Sequence, residues 1–155
     1  MIASARTVVI TQQTVPSDTV IKLEMTDCFF VCAAYVVTIS AQGLVTFEGK
    51  KNVRVIGRSE SRISPSLVQD LVTAFKKAKY FSMRDRYDRQ KDGCRIGDGD
   101  AGSSITSIVI GGRSKSISHY YGCFPTGRKM KRTLDALGDL ESKIDEVANA
   151  DQWIK

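Results

Sequence analysis

The chain has 155 residues, of which 42% are hydrophobic, and 23 Lys and Arg against 17 Asp and Glu give it a net charge of +6. Its length fits one domain of about 100 to 200 residues, and a mean hydropathy of -0.17 is typical of globular proteins. No apolar run approaches the roughly 18 to 20 residues of a membrane-spanning helix. The single histidine excludes any metal site that needs two imidazoles.

The first third of the chain predicts a sheet. Residues 1–18 are polar and β-branched and predict an arm or a short edge strand, followed by a single α+β domain over residues 19–155. Alternating apolar and polar residues predict successive strands, joined by turns, over residues 20–25, 35–39, 44–48 and 53–57. This order predicts an antiparallel meander.

Two amphipathic helices are predicted to cover the sheet. Ser64 supplies an N-cap for the first helix and Pro65 occupies its first position, where a missing N–H costs nothing. Thr126 caps a second, longer helix with an apolar stripe. Trp153 is expected to pack on the sheet after this helix.

A long loop and a hairpin lie between the predicted helices. Residues 81–103 predict a loop, and loops of this length are functional, mobile or cross-linked. Alternating residues on both sides of Gly111-Gly112 predict a hairpin with a primed turn. The predicted fold is therefore α+β: an antiparallel meander sheet of about six strands with two helices packed on one face.

The positive charge is concentrated in residues 101–134, which contain six basic and no acidic residues. The basic residues are Arg113, Lys115, Arg128, Lys129, Lys131 and Arg132. If they share one face, they form a basic patch that binds an acidic protein surface. Alternatively, they pair with the acidic run after residue 134 and leave a mixed surface. Nucleic acid is the weaker interpretation, because no recognised nucleic-acid-binding motif accompanies the charge.

Four cysteines bear on the cellular compartment. Their spacing does not fit a zinc site, and neither a metal nor a cofactor is expected. Three disulfide connectivities are possible, and the simplest pairs Cys28 with Cys32 and Cys94 with Cys123. That pairing implies a periplasmic or secreted protein whose signal peptide has been removed. Four reduced thiols in a cytosolic protein are the alternative.

A series of short segments carries a family resemblance. The first runs from Ile21 to Ile39 and contains Cys28 and Cys32; the others are Gly43–Gly49, Asn52-Val53, Gly57, Ile63-Ser64-Pro65, Lys115–Gly122 and Trp153. In this order they resemble an uncharacterised bacterial domain family, number 6438, over about residues 20–154. The family's first motif reads Cys-Phe-Gly-x-Cys-Pro-x-Tyr, and here Phe30 and Ala33 replace the glycine and the proline. The resemblance implies export, because members commonly follow export or lipoprotein signals, and it implies no activity.

Two classes of function follow. The favoured one is a non-enzymatic, exported cell-envelope module that binds a protein, such as an inhibitor or an immunity-type protein, because no catalytic motif is found. The alternative is an enzyme with an unrecognised site. It would be either a thiol redox protein that uses Cys28 and Cys32 or a hydrolase that pairs His119 with a loop carboxylate, Asp98 or Asp100.

Overall fold

A computed structural model describes residues 5–8, 14–97 and 99–155. The strands in these ranges are β1 (Val20–Met25), β2 (Ala34–Ser40), β3 (Leu44–Lys51), β4 (Gly57–Arg62), β5 (Arg86–Tyr87), β6 (Cys94–Ile96), β7 (Ser103–Ile110), β8 (Arg113–Tyr120) and β9 (Cys123–Pro125). The helices are α1 (Pro65–Lys77), α2 (Arg128–Ala148) and the short α3 (Asp151–Ile154). Residues 5–8 and 14–18 form no strand, and the rest of the predicted arm lies outside the described residues, as does Asp98.

The described part of the main sheet has seven strands in the order β4-β3-β2-β1-β7-β8-β5. The α+β class is confirmed, but the purely antiparallel meander is wrong because the sheet is mixed. β5 runs parallel to β8, and the Ser118 amide donates a hydrogen bond to the Asp85 carbonyl beside it. β1 pairs with β2 on one side and β7 on the other, so the meander is extended by strands from the second half of the chain.

The fourth strand lies later in the chain than its pattern predicts. Residues 53–57 were expected to form it, but β4 begins at Gly57 and pairs with β3. The Arg54 and Val55 amides donate instead to the carbonyls of Ile154 and Trp153. The alternation at residues 53–55 thus reflects packing against the end of the chain.

The predicted loop over residues 81–103 contains several short elements. They are β5, β6 and two turns of 3₁₀ helix at Tyr80–Ser82 and Gln90–Asp92. β6 pairs with β9 in a separate two-stranded sheet. The hairpin of β7 and β8 is confirmed, with φ angles of 56° at Gly111 and 75° at Gly112 that suit a primed turn.

Both long helices pack on the buried face of the main sheet, as predicted. Side chains along β1 and β7 alternate between buried and more accessible positions, and the buried sets form one core with both helices. Trp153 stacks on Phe47, their ring centroids 5.1 Å apart, which confirms its expected place. Ser64 occupies the N-cap of α1 as predicted, but its side chain makes no cap bond with the described residues. The predicted cap of α2 is wrong, because Gly127 takes the N-cap position while Thr126 bonds to the Gly93 carbonyl.

Candidate functional site

Three consecutive apolar side chains project from a small disulfide ring between β1 and β2. Cys28 and Cys32 form the disulfide, and between them the exposed fractions of Phe29, Phe30 and Val31 are 81%, 71% and 84%. The two phenyl rings contact each other edge to face, with centroids 5.3 Å apart. Large apolar side chains are normally withdrawn from water, so this loop is an unusual surface feature.

Polar contacts from two other loops hold the ring in place. The carboxylate of Asp100 accepts a hydrogen bond from the Phe29 amide, and the Asn52 side chain donates to the Cys32 carbonyl at 3.0 Å. Asp27 accepts from the Cys28 amide and from Lys51, and the Lys51 hydrogen bond holds the pKa of Asp27 below its usual value. The ring is therefore fixed at both of its cysteines.

The second disulfide lies at the same end of the sheet. It joins Cys94 in β6 to Cys123 in β9, and both cysteines are buried. The Tyr121 amide donates to the Gly102 carbonyl, and a Cβ built on Gly102 would stand 3.6 Å from Cys32 Sγ. Both predicted pairings form: one closes a ring within the loop after β1, and the other links β6 to β9.

A buried polar cluster ties α2 to the sheet. Glu141 accepts hydrogen bonds from Ser104 Oγ at 2.5 Å, His119 Nδ1 at 2.7 Å and the Tyr121 hydroxyl at 2.9 Å. The register of the sheet places Ser104 directly opposite His119. The pKa of Tyr121 is raised, chiefly by burial and also by the Glu141 charge.

One helical turn further on, Asp145 extends this cluster towards β2. Its Oδ2 accepts a hydrogen bond from the Tyr35 hydroxyl at 2.7 Å, and its buried Oδ1 has no hydrogen-bond partner within the described ranges. Burial raises the pKa of Asp145 to about 6, and the charges of Asp151 and Glu141 add to the shift while the Tyr35 hydrogen bond opposes it. Burial likewise raises the pKa of Tyr35, helped by the Asp145 charge.

A cleft of about 730 Å³ opens beside this cluster. Its lining residues are Met25, His119, Tyr121, Leu134, Asp135, Gly138, Asp139, Glu141, Ser142 and Asp145. The cleft is large enough to hold a small organic ligand. Within the described residues, no group of three or more His, Cys, Asp and Glu side chains is arranged to hold a metal ion.

The six basic residues of the predicted patch lie in two places. Lys115 contacts the Met83 carbonyl and Asp85, and the Arg113 guanidinium lies 4.0 Å from the centre of the Phe81 ring. The other four lie in the first turns of α2, where Lys131 pairs with Asp135. No ion pair with a described residue engages the remaining three, Arg128, Lys129 and Arg132.

The residues of the two predicted enzyme sites have other contacts here. Cys28 and Cys32 are joined as a disulfide, and Asp100 is engaged by the Phe29 amide. His119 is paired with Glu141, which the sequence analysis missed because the two residues lie on different elements. The one available signal was the helical spacing, which places Glu141 on the apolar side of α2.

These features define a class of protein: an α+β domain with a mixed sheet and two disulfides at one end of it. The chain belongs to the family described as a domain of unknown function (DUF6438), whose model matches residues 19–148. A search of the curated proteins finds no match to the chain. Within the described residues, no helix is both long and apolar enough to cross a bilayer, and the two disulfides are compatible with an extracellular or periplasmic protein.

Proposed function

We propose that the protein is an exported binding module that docks on another protein through the apolar loop Cys28–Cys32. The observation that carries the proposal is the exposure of Phe29, Phe30 and Val31 within one disulfide ring. Burying an exposed large apolar side chain contributes roughly 1.5 to 3 kcal/mol, so these three can anchor an interface.

The way in which the loop is held supports a binding role. A loop that is ordered before binding loses little conformational entropy when it docks. The disulfide and the hydrogen bonds to Asp100 and Asn52 supply that order. Such a rigid, projecting apolar loop is suited to an inhibitor or immunity-type protein, which acts by occupying a site on its partner.

The charges beside the loop favour a protein pocket over an anionic membrane. Asp27 and Asp100 contact the ring directly, and Lys51, which lies beside the ring, is already paired with Asp27. Membrane-inserting loops are drawn to anionic lipids by basic residues. We therefore infer an apolar pocket on a partner protein as the occupant.

The predicted acidic partner surface is retained as part of this proposal. Arg128, Lys129 and Arg132 are exposed in the first turns of α2, which begins soon after the disulfide-linked strand β9. Cations at a helix N-terminus are unfavourable because the helix dipole is positive there. An acidic rim on the partner would compensate for this cost.

Site-specific crosslinking tests the docking proposal. A photoreactive phenylalanine analogue at Phe30, in protein exported by its native host, should give a discrete crosslinked protein. The same analogue at Val109, a partly exposed residue near the other end of β7, should not. Excess unlabelled protein should abolish the adduct, whereas a competitor with Phe29→Ser, Phe30→Ser and Val31→Ser should not.

Two outcomes would overturn the proposal. The first is equal competition by the triple-serine variant, provided that its circular dichroism spectrum matches that of the parent. The second is that Phe30 crosslinks only to lipid and that the protein sediments with vesicles of phosphatidylglycerol and phosphatidylethanolamine, which would make the loop a membrane anchor.

A further inference from the structure

The cleft beside α2 is acidic, although the whole protein is basic. Among the described residues, its lining contains four carboxylic side chains and neither lysine nor arginine: Asp135, Asp139, Glu141 and Asp145 are its acidic members. Lys131 neutralises Asp135 from outside the cleft. The other three carboxyl groups have no lysine or arginine partner among the described residues and surround a space of about 730 Å³. One of them, Glu141, already accepts three hydrogen bonds.

His119 is a second feature of the cleft, independent of its acidity. The side chain lines the cleft although the residue is only 7% exposed. Because the Glu141 carboxylate can only accept, Nδ1 donates to it, and in the neutral form of the ring Nε2 carries a lone pair. Nε2 forms no hydrogen bond with any part of the chain that the structure describes.

Asp145 also lines the cleft. Its Oδ1 is buried and lacks a partner among the described residues, while Tyr35 holds Oδ2. Unpaired buried acceptors are rare in folded proteins because each one has lost its hydrogen bonds to water. Because Oδ1 itself is closed to water, a cation in the cleft would be attracted by the charge of Asp145 and would donate its hydrogen bond to His119.

We propose that this cleft binds an organic cation, a primary ammonium or guanidinium group, which donates a hydrogen bond to His119 Nε2 and lies against the carboxyl groups of Asp139 and Asp145. Met25 and Tyr121 supply a thioether and an aromatic wall, against which a cation or its alkyl stem can pack. The cation can come from a free amine or from a lysine or arginine side chain of another protein. The site is separate from the Cys28–Cys32 loop, so it does not depend on the proposed docking function.

The single histidine makes the test direct, since its Cε1–H gives one imidazole signal in the NMR spectrum. The probes are N-acetyl-arginine amide and its neutral isostere N-acetyl-citrulline amide, followed by n-butylamine. Both cations should shift the His119 signal saturably, and the citrulline probe should bind at least about tenfold more weakly. Binding of n-butylamine as tight as that of the arginine probe indicates a free amine as the source of the cation, and a preference for the arginine probe indicates a protein side chain.

Variants locate the site. Asp145→Asn removes the charge and keeps the shape, and it should weaken binding of the arginine probe at least about tenfold. Glu146→Gln makes the same charge change on the next, exposed residue of α2 and should leave the affinity unchanged. The proposal fails if neither cation gives a saturable shift, if citrulline binds as well as arginine, or if both variants weaken binding equally. The two probe comparisons use the unaltered protein, so they decide the matter even if Asp145→Asn does not fold.

Discussion

At the residue scale, Asp145 makes stability depend on pH. Its pKa in the folded chain, about 6, lies above the usual value of 3.8, mainly because of burial. Between these values the folded chain keeps the proton that the unfolded chain loses, so the contribution of Asp145 to the free energy of unfolding falls as the pH rises. Above pH 6 the loss is roughly 3 kcal/mol, the equivalent of the pKa shift.

Replacing this side chain should therefore stabilise the protein near neutral pH. We expect Asp145→Asn to raise the free energy of unfolding by about 1 to 2 kcal/mol at about pH 7.5, and to change it little near pH 4.5. The gain is smaller than the full loss because the amide must still be buried. Urea unfolding of both proteins at the two pH values measures it, with Glu146→Gln as the exposed control. An equal gain at both pH values would contradict the assignment of the effect to ionisation.

Glu141 should have the opposite effect on stability. Its carboxylate satisfies three donors from β7, β8 and the residue after β8, so Glu141→Ala leaves Ser104, His119 and Tyr121 without their partner. We expect a loss of about 3 to 5 kcal/mol, against about 1 kcal/mol for Tyr121→Phe, which removes one hydrogen bond. Urea unfolding midpoints measure both losses. Equal losses in the two variants would show that the Glu141 cluster does not act as the anchor of α2.

At the scale of elements, the two disulfides differ in the length of chain that they close. The cysteines are separated by 4 residues in the ring and by 29 residues in the link between β6 and β9. Loop-closure entropy then stabilises the folded state by about 2 and about 3.5 kcal/mol respectively. We expect Cys94→Ala with Cys123→Ala to lower the free energy of unfolding by about 1 to 2 kcal/mol more than Cys28→Ala with Cys32→Ala does. Equal losses in urea unfolding would contradict this ranking.

The elements that local sequence could predict are those set by neighbouring residues. Gly111 and Gly112 adopt the positive φ angles that a tight hairpin needs, and Pro65 begins α1 as expected. The error in β4 has a distant cause: the amides of Arg54 and Val55 bond to carbonyls about one hundred residues later. β5 was missed because a strand of two residues has no detectable period.

At the scale of the whole molecule, both candidate sites depend on contacts between distant parts of the chain. The Phe-Phe-Val sequence is evident from the chain, but the hydrogen bonds that hold its ring come from the distant residues Asp100 and Asn52. His119 meets Glu141 only because α2, which contacts β1, β2 and β9, packs on the face of the sheet that carries His119. The basic residues of the segment 101–134 indicated an acidic partner, whereas the cleft on α2 collects acidic side chains. Composition cannot show such a local reversal of charge.

The proposal that the protein is exported depends on the oxidation state of its four cysteines. Disulfides persist in oxidising compartments and are rare in the cytosol, so protein isolated from its native host should have both disulfides formed. Intact mass under denaturing conditions should show no alkylated cysteine before reduction and four after it. The Cys28→Ala, Cys32→Ala variant should show no alkylated cysteine before reduction and two alkylated cysteines after it. This comparison tests the pairing of the cysteines as well as their oxidation. Four alkylated cysteines before reduction would contradict export. The docking loop would then lack its covalent ring, and Cys28 and Cys32 would be candidate reactive thiols.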